Sequence, residues 1–250
     1  MKVIYGALIF IGVLATAHTV AAQAPQTAPW MQLIIVHVEP SMVDEYTAVQ
    51  RDYAARVKKA VNPGRTVSRV EVGDTGQFLI TSPVQNLAAF DAAARQNDPE
   101  LTALNIKMAK YVTNQHSYVI RAIPEIDNPL PTNQAPALII FDVARVFPGR
   151  EQDYMNIMKS DFLPHFNKAN FYHVNGAVTF GGESGFVHIF YVNNFAALDA
   201  GSPVVKALGP AGALAVTAKF AGIVSSSEQW IARVLPELSY AAVTRPATAP

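Results

Sequence analysis

The chain carries one pattern twice. A shift of 108 positions places Tyr46 on Tyr154, Gly73 on Gly181, Phe78 on Phe186, Val84 on Val192 and Asn86 on Asn194. The same shift lays NLAAFDA at 86–92 over NFAALDA at 194–200. The ends agree at a shift of 112, where YVIRAIPEI at 118–126 matches WIARVLPEL at 230–238, so four residues are inserted in between. The first strands align at a shift of 105, which sets His37 against Asp142 and implies a three-residue insertion after them. Such a repeat constrains the fold strongly: both units must reach one topology, and each must cover whatever surface the other leaves bare.

Each copy has the same internal order. Residues 31–38 are mostly β-branched or apolar, without Gly or Pro, and read as a strand. Tyr46, Val49, Tyr53 and Val57 then recur at helical spacing within 44–60, and Asn62-Pro63-Gly64 stops that helix. Strands at 66–72 and 77–81 flank Gly73-Asp74-Thr75-Gly76, a hairpin link. Residues 86–112 are helical with a break near Asn97-Asp98-Pro99, and 117–123 close the unit. The second copy reads 137–144, 151–168, 173–180, 186–192, 194–223 and 229–235. The order βαββαβ makes the fold class α+β: two tandem ferredoxin-like repeats, at 30–126 and 137–240, joined by a Pro-rich linker at 127–136. A four-stranded sheet with both helices on one face leaves the other face uncovered, so the two sheets are expected to pack together as one intramolecular α/β barrel.

This arrangement resembles the dimeric α/β-barrel superfamily, of the antibiotic-biosynthesis-monooxygenase, EthD and NIPSNAP type. The resemblance covers both repeats and rests on the element pattern, the Asp161-Phe-Leu-Pro-His165 break inside a long first helix, and the apolar third strand. It implies little about activity, since the superfamily spans oxygenases, haem enzymes, isomerases and proteins without known activity. For its haem-binding members it implies a ligating histidine, of which His165 is the nearest analogue here.

Charge and composition narrow the partners. Nineteen basic residues balance nineteen acidic ones, which argues against a polyanion-binding surface and therefore against nucleic acid. The absence of cysteine removes disulfides, thiolate metal sites and thiol nucleophiles together. Lys2, an apolar run at 3–17 and Val20-Ala21-Ala22 read as a signal peptide over 1–22, so the mature protein is expected to begin with a short leader, 23–29, in the periplasm or outside the cell. No second long apolar segment follows, so no stable membrane insertion is expected once the signal is removed. Residues 241–250 form a Pro/Ala tail expected to be disordered.

No metal-ligand spacing, phosphate loop or nucleophile motif occurs, and no cofactor or metal is implied. The difference between the copies is more informative. Asp161 and His165 stand where the first copy has Tyr53 and Val57, and His188 stands where it has Ile80. Asp142 on the second copy's first strand and His188 on its third belong to neighbouring strands. Asp142, His188, His165 and Asp161 are thus the candidate catalytic residues. A ligand pocket inside the barrel is expected from His37, Phe141, Phe186, Phe190 and Tyr191. A histidine positioned by a carboxylate suits general-base chemistry on a small aromatic molecule. Apolar residues at most strand positions favour instead a non-catalytic protein binding a small hydrophobic ligand or a partner; a cofactor-independent monooxygenase or isomerase is the alternative.

Overall fold

Strand parity organises the molecule. In β1 (Trp30–Val38), Met31, Leu33 and Ile35 face one side of the sheet and Ile34, Val36 and Val38 the other, and both sets are apolar. A strand apolar on both faces must be covered on both. The structure, a computed structural model, describes residues 29–59, 63–95, 98–131 and 134–241. The expected signal peptide, most of the 23–29 leader and all of the tail except Ala241 lie outside the described residues.

After β1 come α1 (Val43–Val57), β2 (Thr66–Val72), β3 (Gln77–Val84), α2 (Ala88–Arg95), α3 (Pro99–Ala109) and β4 (Val112–Ala122). The rest of the chain gives β5 (Leu138–Val146), α4 (Glu151–Ile157), a π-helical turn (Met158–Phe162), α5 (Leu163–Lys168), β6 (His173–Phe180), β7 (Gly185–Val192), α6 (Pro203–Ala218) and β8 (Val224–Val234). Local chemistry sets several ends. The Asp98 carboxylate accepts the amides of Glu100 and Leu101, with Pro99 in the first turn of α3. Ser202 and Pro203 repeat that device at α6. Pro83 lies in β3 beyond the last residue paired with β2, where no partner needs its missing amide.

The eight strands close into a barrel in the order β1-β3-β2-β8-β5-β7-β6-β4, with every neighbouring pair antiparallel. The first four strands are therefore arranged β4-β1-β3-β2 and the last four β8-β5-β7-β6, with seams at β2–β8 and β4–β6. Leu33, Ile35, Leu79, Ile120, Phe141 and Ile189 meet in the interior. Two outer cores lie between the sheet and the helices, one around Tyr46 and Phe78, the other around Tyr154, Phe166 and Phe190.

The register corrects one expectation. Ile34 pairs with Ile80, and Asp142 pairs with His188, so β1 and β5 are related by 108, like the rest, and not by 105. The counterpart of Asp142 is Ile34, and no insertion follows the first strands. Side chains alternate with period two, so an odd shift moves every residue to the wrong face. The doubly apolar character of β1 and β5 hid that parity.

Boundaries shift for similar reasons. β4 and β8 begin at 112 and 224, about five residues before the expected starts, because VTNQH and VSSSE lack alternation. Those segments pair with β1 and β5 on one side but lie outside the β4–β6 and β2–β8 registers, so polar residues suit them. The expected helix at 194–223 becomes a 3-10 turn and α6, which kinks where Gly209, at φ +71°, precedes Pro210. The glycine-rich 181–185 link is a hairpin turn pressed on β4: a Cβ on Gly181 would stand 2.2 Å from the Ser117 carbonyl oxygen. No described helix is long and apolar enough to cross a membrane.

Candidate functional site

On the helix-facing side of the second half, β5 presents Leu138, Ile140, Asp142 and Ala144, and β7 presents Phe186, His188 and Phe190. Asp142 and His188 are direct cross-strand neighbours. Two ionisable groups thus enter a surface otherwise made of apolar side chains.

His188 is buried, and both its ring nitrogens are engaged. Nδ1 lies 2.6 Å from Asn175 Oδ1, and Nε2 lies 2.6 Å from the Tyr154 hydroxyl. Asn175 Nδ2 donates to the Ile126 carbonyl at 2.6 Å and to Asp127 Oδ1 at 2.8 Å, which leaves Oδ1 as the acceptor. The tautomer follows from this network: His188 donates from Nδ1, and Tyr154 donates to Nε2. Burial, with a smaller contribution from nearby His173, pulls the His188 pKa down to about 3, so the imidazole is neutral. Burial also raises the Tyr154 hydroxyl, reinforced by the Asp142 charge, and that ring stacks on Phe186 at 4.4 Å. Asp127 ends the chain of bonds. Burial pushes its carboxyl up to about 6 against the lowering effect of two bonds from Asn175.

Asp142 is less well satisfied. Its Oδ2 accepts from Gln229 Nε2 at 3.0 Å, while its Oδ1 is buried without a hydrogen-bond partner among the described residues. Burial raises its pKa, opposed only by the Gln229 bond. A desolvated acceptor without a donor costs on the order of 1–3 kcal/mol. A hydroxyl-bearing ligand would relieve that cost.

Both groups open on a cavity of about 240 Å³ between the sheet and the helices, with Met158, Phe162, Phe166, Phe190 and Phe220 among its walls. The π-helical turn contributes Met158 and Phe162. Pro164 supplies its cause, since a proline has no amide to donate and crowds the preceding turn, and a widened turn accommodates it.

The expected single pocket inside the barrel is corrected by this geometry. Asp142, His188 and Phe190 line the outer cavity, with Phe186 behind Tyr154. Phe141 and Tyr191 sit one residue out of phase with them and pack into the barrel interior. His37 is on the interior face of the first half, its Nδ1 bonded to Asp74 Oδ2 at 2.8 Å, beside a separate cavity of about 390 Å³ that includes His116, Arg145 and Trp230. Asp142 does not hold His188; Tyr154 and Asn175 do. Asp161 turns outward, accepting from Lys219 Nζ at 2.6 Å and from Ser160, and the Lys219 bond lowers its pKa. His165 is exposed on α5, without a bond to Asp161. Sequence reasoning passed over Asn175, Asp127 and Gln229, and it gave Tyr154 no role beyond its match to Tyr46. Parity from His188 would have put Asn175 on the same face, since the two are register partners.

Among the described residues no group of three or more His, Asp or Glu side chains could hold a metal ion. Of the second half's candidate histidines, His165 faces solvent and both nitrogens of His188 are committed, so neither is placed to ligate a haem.

No known family profile matches the chain, and no curated protein is found similar to it in sequence. Its fold, however, is shared. A candidate monooxygenase from Fusobacterium nucleatum superposes with a TM-score of 0.61 at 12% identity, covering 87% of this chain and 99% of that one. An anthrone oxidase-like protein gives 0.60 at 10% identity, covering 90% and 99%. A candidate monooxygenase from Lactobacillus acidophilus gives 0.57 at 10%, covering 84% and 94%. The chain thus shares the barrel fold of these structures. At such identities the likeness is one of fold alone.

Proposed function

We propose that this chain is an exported protein of two tandem ferredoxin-like repeats whose second-half cavity binds a compact aromatic molecule bearing a hydroxyl group. The observation that carries the reading is the unpartnered Asp142 Oδ1 at the wall of a cavity that Phe162, Phe166, Phe190 and Phe220 also line. Such a site, mostly apolar with a few placed polar groups, selects by the hydrogen bonds it can complete. Tyr154, whose proton is directed to His188, offers its hydroxyl oxygen as a second acceptor. Isothermal titration of the mature protein with 1-naphthol and with naphthalene tests this. Naphthol should bind at least tenfold tighter, and Asp142→Leu should remove the difference; equal binding of the two, or none, would overturn the reading.

A second reading, cofactor-independent oxidation, is favoured by the fold shared with candidate monooxygenases and by a buried carboxylate with raised pKa. Asp142 would take a proton from an activated ring CH2, which dioxygen would convert to a carbonyl, the other oxygen atom leaving as water. Oxygen uptake with anthrone, lost in Asp142→Asn, would support it. Binding without uptake would leave the first reading alone.

A further inference from the structure

The first half has a pocket of its own, and its charge is the reverse of the second's. Where the second half has Asp142 and His188, the first has Ile34 and Ile80. Where the second half has His173, 108 positions earlier stands Arg65. Each makes the same kind of backbone bridge: Arg65 with Tyr240, and His173 with Asn128. In both cases main-chain N–H and C=O groups make the bridge, and the side chain takes no part in it. The bridge itself therefore does not require a cation, and the permanent charge of Arg65 needs another explanation.

Its surroundings supply one. The guanidinium lies 5.0 Å from the Tyr53 ring centroid and 5.4 Å from that of Tyr240, and it donates to Gln50 Oε1 at 2.5 Å and to the Leu238 carbonyl at 3.4 Å. No carboxylate among the described residues is within ion-pair distance of it, and the stretches outside the description contain no Asp or Glu. Asp98, the one carboxylate on the adjoining pocket wall, is taken by Arg56 at 3.0 Å. That pocket has a volume of about 660 Å³, has apolar walls from Ile34, Ile80, Pro83 and Phe90, and carries Lys59 as well. With Nε on Leu238 and Nη2 on Gln50, Nη1 is the end of this half-buried guanidinium left, among the described residues, to meet a carboxylate.

We propose that this first-half pocket is a second binding site, selective for a carboxylate with an apolar body, whose head group Arg65 captures. The proposal does not depend on what the Asp142 cavity binds.

Titration with decanoate and with its neutral counterpart decanol tests it on the full mature chain. Decanoate should bind at least tenfold tighter at low salt, with the gap narrowing as salt is raised. Arg65→Gln should close that gap while leaving decanol binding in place. Ala89→Trp, at an exposed position on the pocket wall, should abolish binding of both with an unchanged melting temperature. Equal affinities for the two probes, no binding of either, or binding that survives Ala89→Trp would each overturn the proposal. The last two criteria stand even if Arg65→Gln fails to fold.

Discussion

His188 and Asp127 grip the same Asn175 side chain with opposite protonation preferences, and this makes their titration separable. His188 has its pKa lowered from 6.5 to about 3, so the folded state resists its protonation; its contribution is whole above pH 6.5 and is lost on acidification towards 3. Asp127 has its pKa raised from 3.8 to about 6, so its contribution is whole below 3.8 and is lost as pH rises through 6. Between about pH 4 and 6 the two slopes oppose each other, each at most about 1.4 kcal/mol per pH unit and less for the partly exposed Asp127. Asp127→Asn should therefore make melting temperature fall more steeply with acid than in the wild type, and His188→Gln should make it fall less. Thermal melts at pH 4.5 and 6.5 decide this, and identical pH dependence in all three proteins would refute it. Asp142 gives a different test. Removing this partly buried carboxylate also removes an Oδ1 that lacks a donor, a cost on the order of 1–3 kcal/mol. Asp142→Leu should thus melt no lower than the wild type while losing naphthol selectivity; a marked drop would make Asp142 a structural residue. Asp142 and His188 were legible in the sequence because they stand where the corresponding positions of the first half, Ile34 and Ile80, are apolar. The expected interior pocket failed at Phe186 and Phe190, which strand parity sends to the outer core with Asp142 and His188, while His37, Phe141 and Tyr191 face the interior.

Among elements, the first helix of the second half shows how a sequence break becomes a cavity wall. Leu-Pro inside a helical stretch marked the break at 161–165, but a break can become a kink, a stop or a widened turn. The structure resolves it as the π-helical turn at Met158–Phe162, which places Met158 and Phe162 on the cavity. The strands were read reliably where apolar residues run through them, as in β1, and most poorly where half a strand was polar, as at 112–116 and 224–228. Turns test the packing of elements directly. Gly149 and Gly181 have φ of +81° and +94°, but a Cβ at Gly149 meets nothing within 4 Å, whereas one at Gly181 strikes the β4 backbone. Gly149→Ala should cost only the conformational penalty, about 1–2 kcal/mol. Gly181→Ala should cost clearly more, because the β6–β7 hairpin must lift from β4. Urea denaturation of the two variants ranks them; equal losses would mean that the hairpin contact carries no weight.

At the scale of the whole molecule, the barrel interior belongs to neither half. Leu33, Ile35, Leu79 and Ile120 come from the first four strands, and Phe141, Val143, Val187 and Ile189 from the last four, and they form one cluster. The seams are completed by backbone pairing of β2 with β8 and β4 with β6, and across one of them Arg233 binds the Glu71 carboxylate with both ends of its fork. Separating the halves would expose an apolar sheet face and two unpaired strand edges at once, a combination that drives association. The edges also dictate the form of that association. A four-stranded unit ordered β4-β1-β3-β2 offers β2 and β4 as its free edges, so two copies related by a twofold axis can pair β2 with β4 of the other copy and close a barrel again. Residues 23–130 expressed alone should therefore form dimers or larger species at micromolar concentration, and Leu79→Glu, which places a charge in the shared interior, should prevent the dimer. Light scattering after gel filtration reads the outcome. A stable, folded monomer of residues 23–130 would show that the first half covers its own sheet, and that barrel closure is a contact between two independent domains.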